Sequence, residues 1–196
     1  MCGQINGFSM LTVASLLAAH RSGSPLTDTV RGVYARLAAH DDPAMFITLR
    51  PEAEVLAEAQ ALAALGDTSL PLYGIPVAVK DNIDVAGLPT TAACPAFAYT
   101  PEHDATAVAR LKAAGALIVG KTNLDQFATG LVGVRSPYGV PRNSFDARII
   151  PGGSSSGSAT SVAAGLATFS LGTDTAGSGR VPAAAQSAAF SAAVMT

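Results

Sequence analysis

Apolar segments of strand-like length alternate with helical segments beyond Pro71, and this alternation restricts the possible folds more than any other feature of the chain. Strands are predicted for residues 72–79, 116–119 and 166–171. Asp104 is placed to cap a helix that extends to Gly115, and a further helix is predicted for residues 158–164. Helices that alternate with short strands indicate an α/β fold built in layers.

The first third of the chain is predicted to be helical. Residues 10–19 are interpreted as a core helix, because the first basic residue, Arg21, follows this apolar segment, whereas a secretory signal has basic residues before it. A second helix is expected from Pro25 to residue 40. A third begins at Pro51 and ends at Gly66, which is placed as a left-handed cap.

Composition excludes several classes of function. Charged residues make up 13% of the chain, so we expect part of its surface to be covered by further protein. The net charge is −2 and basic residues are scattered, which argues against nucleic acid as a partner. No apolar run approaches the roughly 20 residues of a membrane span. Cys2 and Cys94 form neither a zinc motif nor a disulfide framework, so we expect a cytoplasmic protein.

Two motif matches fail on physical grounds. Residues 115–122 fit the P-loop pattern letter for letter, but the four intervening residues have the composition of a strand, which argues against nucleotide binding. Residues 153–157 fit the nucleophile elbow of α/β-hydrolases. The histidines of the chain all precede that segment, so a Ser-His-Asp triad is not expected; they are His20, His40 and His103.

Two glycine-rich turns that carry serines lie at residues 152–158 and 172–180, and Lys80 ends the apolar run 75–79. Taken singly, the serines are ordinary turn or cap residues and the lysine is an ordinary solvated side chain. Taken together, they suggest acyl transfer without histidine. Burial can lower the pKa of a lysine until its neutral amine serves as a base.

Four segments in this order resemble the amidase signature family, namely 74–82, 120–123, 152–157 and 172–182. The resemblance covers about residues 70–184, and the separation of 24 positions from Ser154 to Ser178 is that of the two catalytic serines in the family. Within the family, Ala176 favours the allophanate hydrolase branch. The alternatives are a general amidase and an amidotransferase A-type subunit.

The resemblance implies a mixed, twisted sheet flanked by helices and a Ser-Ser-Lys triad. It makes Ser178 the acyl nucleophile, Ser154 the bridging serine on a cis peptide bond, and Lys80 the terminal base. Backbone N–H groups are expected to form an oxyanion hole, and three side chains to support the site. The N–H groups are those of Thr175, Ala176, Gly177 and Ser178, and the supporting residues are Ser155, Asp174 and Arg180.

The same resemblance implies no cofactor and no metal. Its substrate would be a small-molecule amide, with allophanate converted to ammonia and carbon dioxide in urea catabolism, and a homodimer is left open. We expect residues 1–66 to form a helical segment, residues 67–184 the amidase-signature core, and residues 185–196 a divergent tail rich in alanine and serine.

In the amidase signature family, further strands and helices follow the second serine turn and complete the sheet. Residues 185–196 do not resemble this continuation, so we expect a truncated chain with an incomplete sheet. A non-catalytic fragment or interaction module is the alternative from another class of function.

Overall fold

The computed structural model describes residues 12–186. Its helices are α1 (Val13–Arg21), α2 (Leu26–His40), α3 (Glu52–Leu65), α4 (Thr106–Ala113), α5 (Ser156–Ala163) and α6 (Arg180–Ala185). Its strands are β1 (Phe46–Leu49), β2 (Pro76–Lys80), β3 (Leu117–Thr122) and β4 (Phe169–Leu171).

The four strands form one mixed sheet in the order β1-β3-β2-β4. The central strand β2 is parallel to both β3 and β4, whereas β1 pairs with β3 in the antiparallel direction. The predicted α/β fold with a mixed sheet flanked by helices is therefore confirmed. The prediction that the first third is wholly helical is wrong, because β1 lies within it.

The core lies on both faces of the sheet, as the alternation of side chains along β2 requires. Val77 and Val79 pack with Leu16 of α1 and Val108 of α4. Ala78 points to the opposite face and packs with residues of α2 and α3, which include Val30, Val33 and Val55. All five residues of β2 are buried, so Lys80 is carried into the interior at the end of an apolar strand.

Helix boundaries predicted from proline and glycine residues agree with the structure. Pro25 and Pro51 precede α2 and α3, and Gly66 ends α3 with a φ of 69°, in the left-handed region. The capping prediction for Asp104 is wrong. The carboxylate accepts bonds from the backbone N–H of Ala86 and the ammonium of Lys112, and α4 begins at Thr106 without a side-chain cap.

The P-loop match lies on strand β3, as its composition predicted. Lys121 is fully buried, and its Nζ lies 3.1 Å from Oδ1 of the buried Asp81. The same Nζ donates to Thr90 Oγ1 and to the carbonyl of Pro89. The lysine of this motif is thus occupied inside the protein and not presented to a phosphate.

Gln186, where the described residues end, is packed into the molecule. Its Oε1 accepts the N–H of Ser144 and its Nε2 donates to the carbonyl of Pro151. Residues 187–196 of the tail and residues 10 and 11 of the first predicted helix lie outside the described residues. None of the helices between residues 12 and 186 has the length and hydropathy that a membrane crossing requires.

Candidate active site

Lys80 ends strand β2, and its side chain is fully buried. Its Nζ lies 2.7 Å from Ser154 Oγ and 2.7 Å from Thr173 Oγ1. Parallel strands end at the same edge of a sheet, and β2 and β4 are parallel neighbours. Thr173, two residues after β4, therefore comes to lie beside Lys80.

The environment of Lys80 favours its neutral form. Burial lowers the pKa of Lys80 to about 7, while the negative charges of Asp125 and Asp174 act in the opposite direction and raise it. Desolvation prevails because an ammonium loses most of its hydration in a buried site. A neutral amine is therefore accessible near neutral pH, where a lysine of ordinary pKa is almost entirely charged.

Ser154 lies in the turn that leads into α5, and the preceding peptide bond, Gly153–Ser154, is cis. The backbone N–H of Asp125 donates to the carbonyl of Ser154 over 3.1 Å. A Cβ at Gly153 would meet the carboxylate of Asp125 and the backbone of Gly133, so only glycine fits at this contact. Ser154 is itself fully buried, with its hydroxyl directed to Lys80.

Ser178 lies in the second glycine turn and is 6% exposed. The backbone N–H of Ser155 donates to the carbonyl of Ser178 over 3.0 Å, which joins the two serine-bearing turns. Within residues 12–186, the hydroxyls of Ser154 and Ser178 share no hydrogen bond. The three predicted catalytic residues thus belong to one connected cluster, in which the Lys80–Ser154 contact is formed.

Asp174 organises the turn that carries Ser178. Its carboxylate accepts the backbone N–H groups of Gly177, Gly179 and Arg180, and also two N–H bonds from the Arg180 guanidinium. These bonds, those of Arg180 foremost, hold the pKa of Asp174 well below its usual range. The contacts of both side chains are those of loop braces, since Arg180 is engaged by Asp174 although it is mostly exposed.

The same bonds decide which backbone donors of the turn are free. Gly177 donates its N–H to Asp174 over 2.7 Å, so this group is already occupied. Among residues 12–186, no acceptor takes the N–H groups of Thr175, Ala176 or Ser178. Three of the four predicted oxyanion donors therefore have no acceptor among the described residues, in the turn that carries Ser178.

Three residues near Lys80 have no role predicted from the sequence, namely Thr173, Asn82 and Asp125. Thr173 contacts Lys80 directly, and Asn82 Nδ2 donates to the same Thr173 hydroxyl over 3.3 Å. The buried Asp125 carboxylate accepts the N–H of Gly133 and of Arg135 beside the cis bond. Thr173 and Asn82 lie inside segments of the family resemblance, but nothing in their spacing signals the contact between Thr173 and Lys80.

In the described part of the chain, no group of three or more His, Cys, Asp or Glu side chains is arranged to hold a metal ion. The cavity of about 550 Å³ between α2, β1 and the start of α3 is lined by residues such as Tyr34, Phe46 and Glu52. None of the site residues lines it. The candidate catalytic side chains lie in the two glycine turns and at the end of β2.

The chain is similar to proteins of one known family. A family model described as amidase matches residues 28–189. The urea amidolyase of Lachancea kluyveri is 58% identical over 147 residues, and the A-type subunit of the glutamyl-tRNA(Gln) amidotransferase of Symbiobacterium thermophilum is 53% identical over 144 residues. A crystal structure of Kluyveromyces lactis allophanate hydrolase superimposes with a TM-score of 0.79 at 48% identity.

These relatives are considerably longer than the chain. The Lachancea match covers 74% of the chain but 8% of the relative, and the Symbiobacterium match covers 71% of the chain and 29% of the relative. The Kluyveromyces match covers 88% of the chain and 29% of that protein. The chain thus corresponds to less than a third of each of them.

Proposed function

The chain belongs to the amidase family, and from this we propose that it carries the catalytic residues of a serine hydrolase that cleaves amide C–N bonds. The observation that carries the proposal is the buried Lys80 amine, whose Nζ lies 2.7 Å from Ser154 Oγ. A buried amine with a pKa of about 7 has the proton affinity that a base needs near neutral pH.

In the proposed mechanism, Ser178 is the nucleophile. Lys80 takes the hydroxyl proton of Ser154 while Ser154 takes that of Ser178, and the Ser178 oxygen attacks the amide carbonyl. The proton returns along the same relay to the leaving nitrogen, which departs as an amine or ammonia. Water is then deprotonated through the same relay, hydrolyses the acyl-serine and releases the acid.

The oxyanion of the tetrahedral intermediate needs donors beside Ser178. The unoccupied N–H groups of Thr175, Ala176 and Ser178 support that role, whereas Gly177 is left out because its N–H is bound to Asp174. One donor of this kind contributes about 2.7 to 4 kcal/mol to transition-state stabilisation. Asp174 and Arg180 are assigned to positioning this turn.

We further propose allophanate as the substrate, with ammonia and carbon dioxide as the products in urea catabolism. The support is the similarity to the urea amidolyase of Lachancea kluyveri and to the allophanate hydrolase of Kluyveromyces lactis. Arg180 donates its Nε and Nη2 N–H groups to Asp174, which assigns it to the loop, and we expect another cationic or donor group to bind the substrate carboxylate.

A second candidate is the amide-cleaving step of an amidotransferase A-type subunit. It is favoured by the 53% identity to the glutamyl-tRNA(Gln) amidotransferase chain of Symbiobacterium thermophilum. The two candidates differ in substrate but use the same proposed residues. A cytoplasmic location and a homodimer remain predictions, and sedimentation of the purified chain tests the dimer.

The test is ammonia release from allophanate, from glutamine and from simple aliphatic amides. Lys80→Arg keeps the positive charge but supplies no base near neutral pH, so it should abolish turnover while the circular dichroism spectrum is unchanged. Lys112→Arg is the matched control, because Lys112 pairs with Asp104 away from the site. Retained turnover in Lys80→Arg would refute the proposed base, and equal rates on all substrates would refute the preference for allophanate.

A further inference from the structure

Thr173 and Asn82 form a hydrogen-bonded pair beside Lys80 that the proposed mechanism leaves without a role. Thr173 Oγ1 lies 2.7 Å from Lys80 Nζ and 3.3 Å from Asn82 Nδ2. Asn82 lies two residues after Lys80, and Thr173 lies two residues after β4. Both residues are thus placed by the carboxyl ends of neighbouring parallel strands, and both side chains meet at a single hydroxyl.

The chemistry of an amine makes this contact consequential. A neutral lysine has two N–H donors and one lone pair, whereas the ammonium has three donors and no lone pair. To accept the Ser154 proton, the lone pair of Lys80 must face Ser154 Oγ. An acceptor at a second tetrahedral direction takes one N–H bond and thereby fixes the rotation of the amine.

The same acceptor matters after the proton has moved. Lys80 is fully buried, so the ammonium that forms cannot recover its hydrogen bonds from bulk water. Ser154 Oγ and Thr173 Oγ1 are its hydrogen-bond acceptors among residues 12–186. The ammonium has three N–H donors, so losing one of these two acceptors would leave a second N–H without a partner among the described residues.

We propose that Thr173 is a positioning residue, seated by Asn82, that holds the Lys80 amine toward Ser154 and accepts an N–H bond from it in both protonation states. The inference rests on the proposed function, because it gives Thr173 a task only where Lys80 acts as a base. Thr173 acts through Lys80 and is not assigned any contact with the substrate.

Two other charged groups act on Lys80 and must be separated from the effect of Thr173. The carboxylates of Asp125 and Asp174 both raise the pKa of Lys80, against the larger effect of burial. Asp125 is held by backbone N–H groups of its own loop, and Asp174 is held by its own turn and by Arg180. A substitution of the Thr173 hydroxyl leaves these bonds in place.

Thr173→Val removes the hydroxyl at nearly constant volume. It should lower kcat about 10- to 100-fold, with little change in KM, because one hydrogen bond to a charged group is lost in the transition state. The acid limb of the pH–rate profile should move to lower pH, because removing an acceptor disfavours the ammonium. Thr173→Ser keeps the hydroxyl and should restore both quantities.

Thr168→Val is the matched control. The Thr168 hydroxyl is buried without a hydrogen-bond partner in the described part of the chain, and its backbone N–H bond to Pro76 is unaffected by the change. This variant should leave kcat and the acid limb as in the wild type. Asn82→Ala is a second test variant. It should shift kcat and the acid limb of the pH–rate profile in the same direction as Thr173→Val, but by less.

A readout without turnover distinguishes a failure of the inference from a failure of the proposed function. The lysines of the chain are Lys80, Lys112 and Lys121, so selective lysine labelling gives few NMR signals, and Lys80→Arg identifies that of Lys80. The Lys80 signal should titrate at lower pH in Thr173→Val than in Thr168→Val. If the titration and the acid limb are the same in Thr173→Val, Asn82→Ala and Thr168→Val, the inference is overturned. If Lys80→Arg retains turnover, it is the proposed function that fails.

Discussion

The rate of amide hydrolysis is predicted to rise with pH along one limb centred near pH 7. The neutral amine of Lys80 is the base, and burial lowers its pKa to about 7. Its neutral fraction is then about 1% at pH 5 and about 90% at pH 8, whereas a lysine of ordinary pKa is about 0.04% neutral at pH 7. We therefore expect kcat/KM to increase about tenfold per pH unit below pH 7 and to level off above about pH 8.

The assay is the initial rate of ammonia release from allophanate at subsaturating concentration, between about pH 5 and pH 9. Constant ionic strength keeps electrostatic screening equal across the series. Far-ultraviolet circular dichroism at each pH serves as the control for unfolding. A rate that is level between pH 5 and pH 8, or a limb near the ordinary lysine pKa of about 10.4, would refute the assignment of a buried neutral Lys80 as the base.

The remaining predictions concern stability and are checked by urea unfolding. Lys80→Met should raise the free energy of unfolding more at about pH 6 than at about pH 10. The pKa of Lys80 is lower in the folded state than in the unfolded state, so the folded state binds fewer protons at pH values between these two pKa values. An equal gain in the free energy of unfolding at the two pH values would contradict this reasoning. Asp174→Ala should lower the free energy of unfolding by about 3 kcal/mol, because three backbone N–H groups lose their acceptor. This loss should become smaller in acid, where the wild-type Asp174 carboxylate, whose pKa is lowered by Arg180, is protonated. A loss that stays constant down to low pH would count against this prediction. Gly157→Ala should fold poorly, because its Cβ would lie 2.6 Å from the backbone N of Asn123. A Cβ at Gly165 meets nothing within 4 Å, so Gly165→Ala should lower the free energy of unfolding by only about 1 kcal/mol, the cost of its positive φ. Equal losses of stability in the two variants would exclude this packing argument.

Local signals in the sequence predicted the elements that depend on neighbouring residues. Gly66 ends α3 in a left-handed conformation because a residue without Cβ adopts it at low cost. The composition of residues 116–119 placed a strand in β3, and so excluded a phosphate loop there. These features follow from backbone preferences within a few residues, which a single sequence contains.

Contacts between distant residues were not predictable in the same way. Strand β1 has four residues, too few to show an alternating pattern, and its pairing with β3 is set by residues about seventy positions away. The ion pair of Asp81 with Lys121, and the contact of Thr173 with Lys80, likewise depend on strand order. The family resemblance brought Lys80, Ser154 and Ser178 together, but it supplied no partner for the second N–H bond of Lys80.

Covalent labelling tests the central claim most directly, namely that Lys80 activates Ser178 through Ser154. The folded chain is treated with a fluorophosphonate, and the adduct is located by intact mass and peptide mapping. The account predicts one adduct, on Ser178, that forms at least about 100-fold more slowly in Lys80→Met. An adduct on another residue, or an unchanged rate of labelling in Lys80→Met, would contradict it.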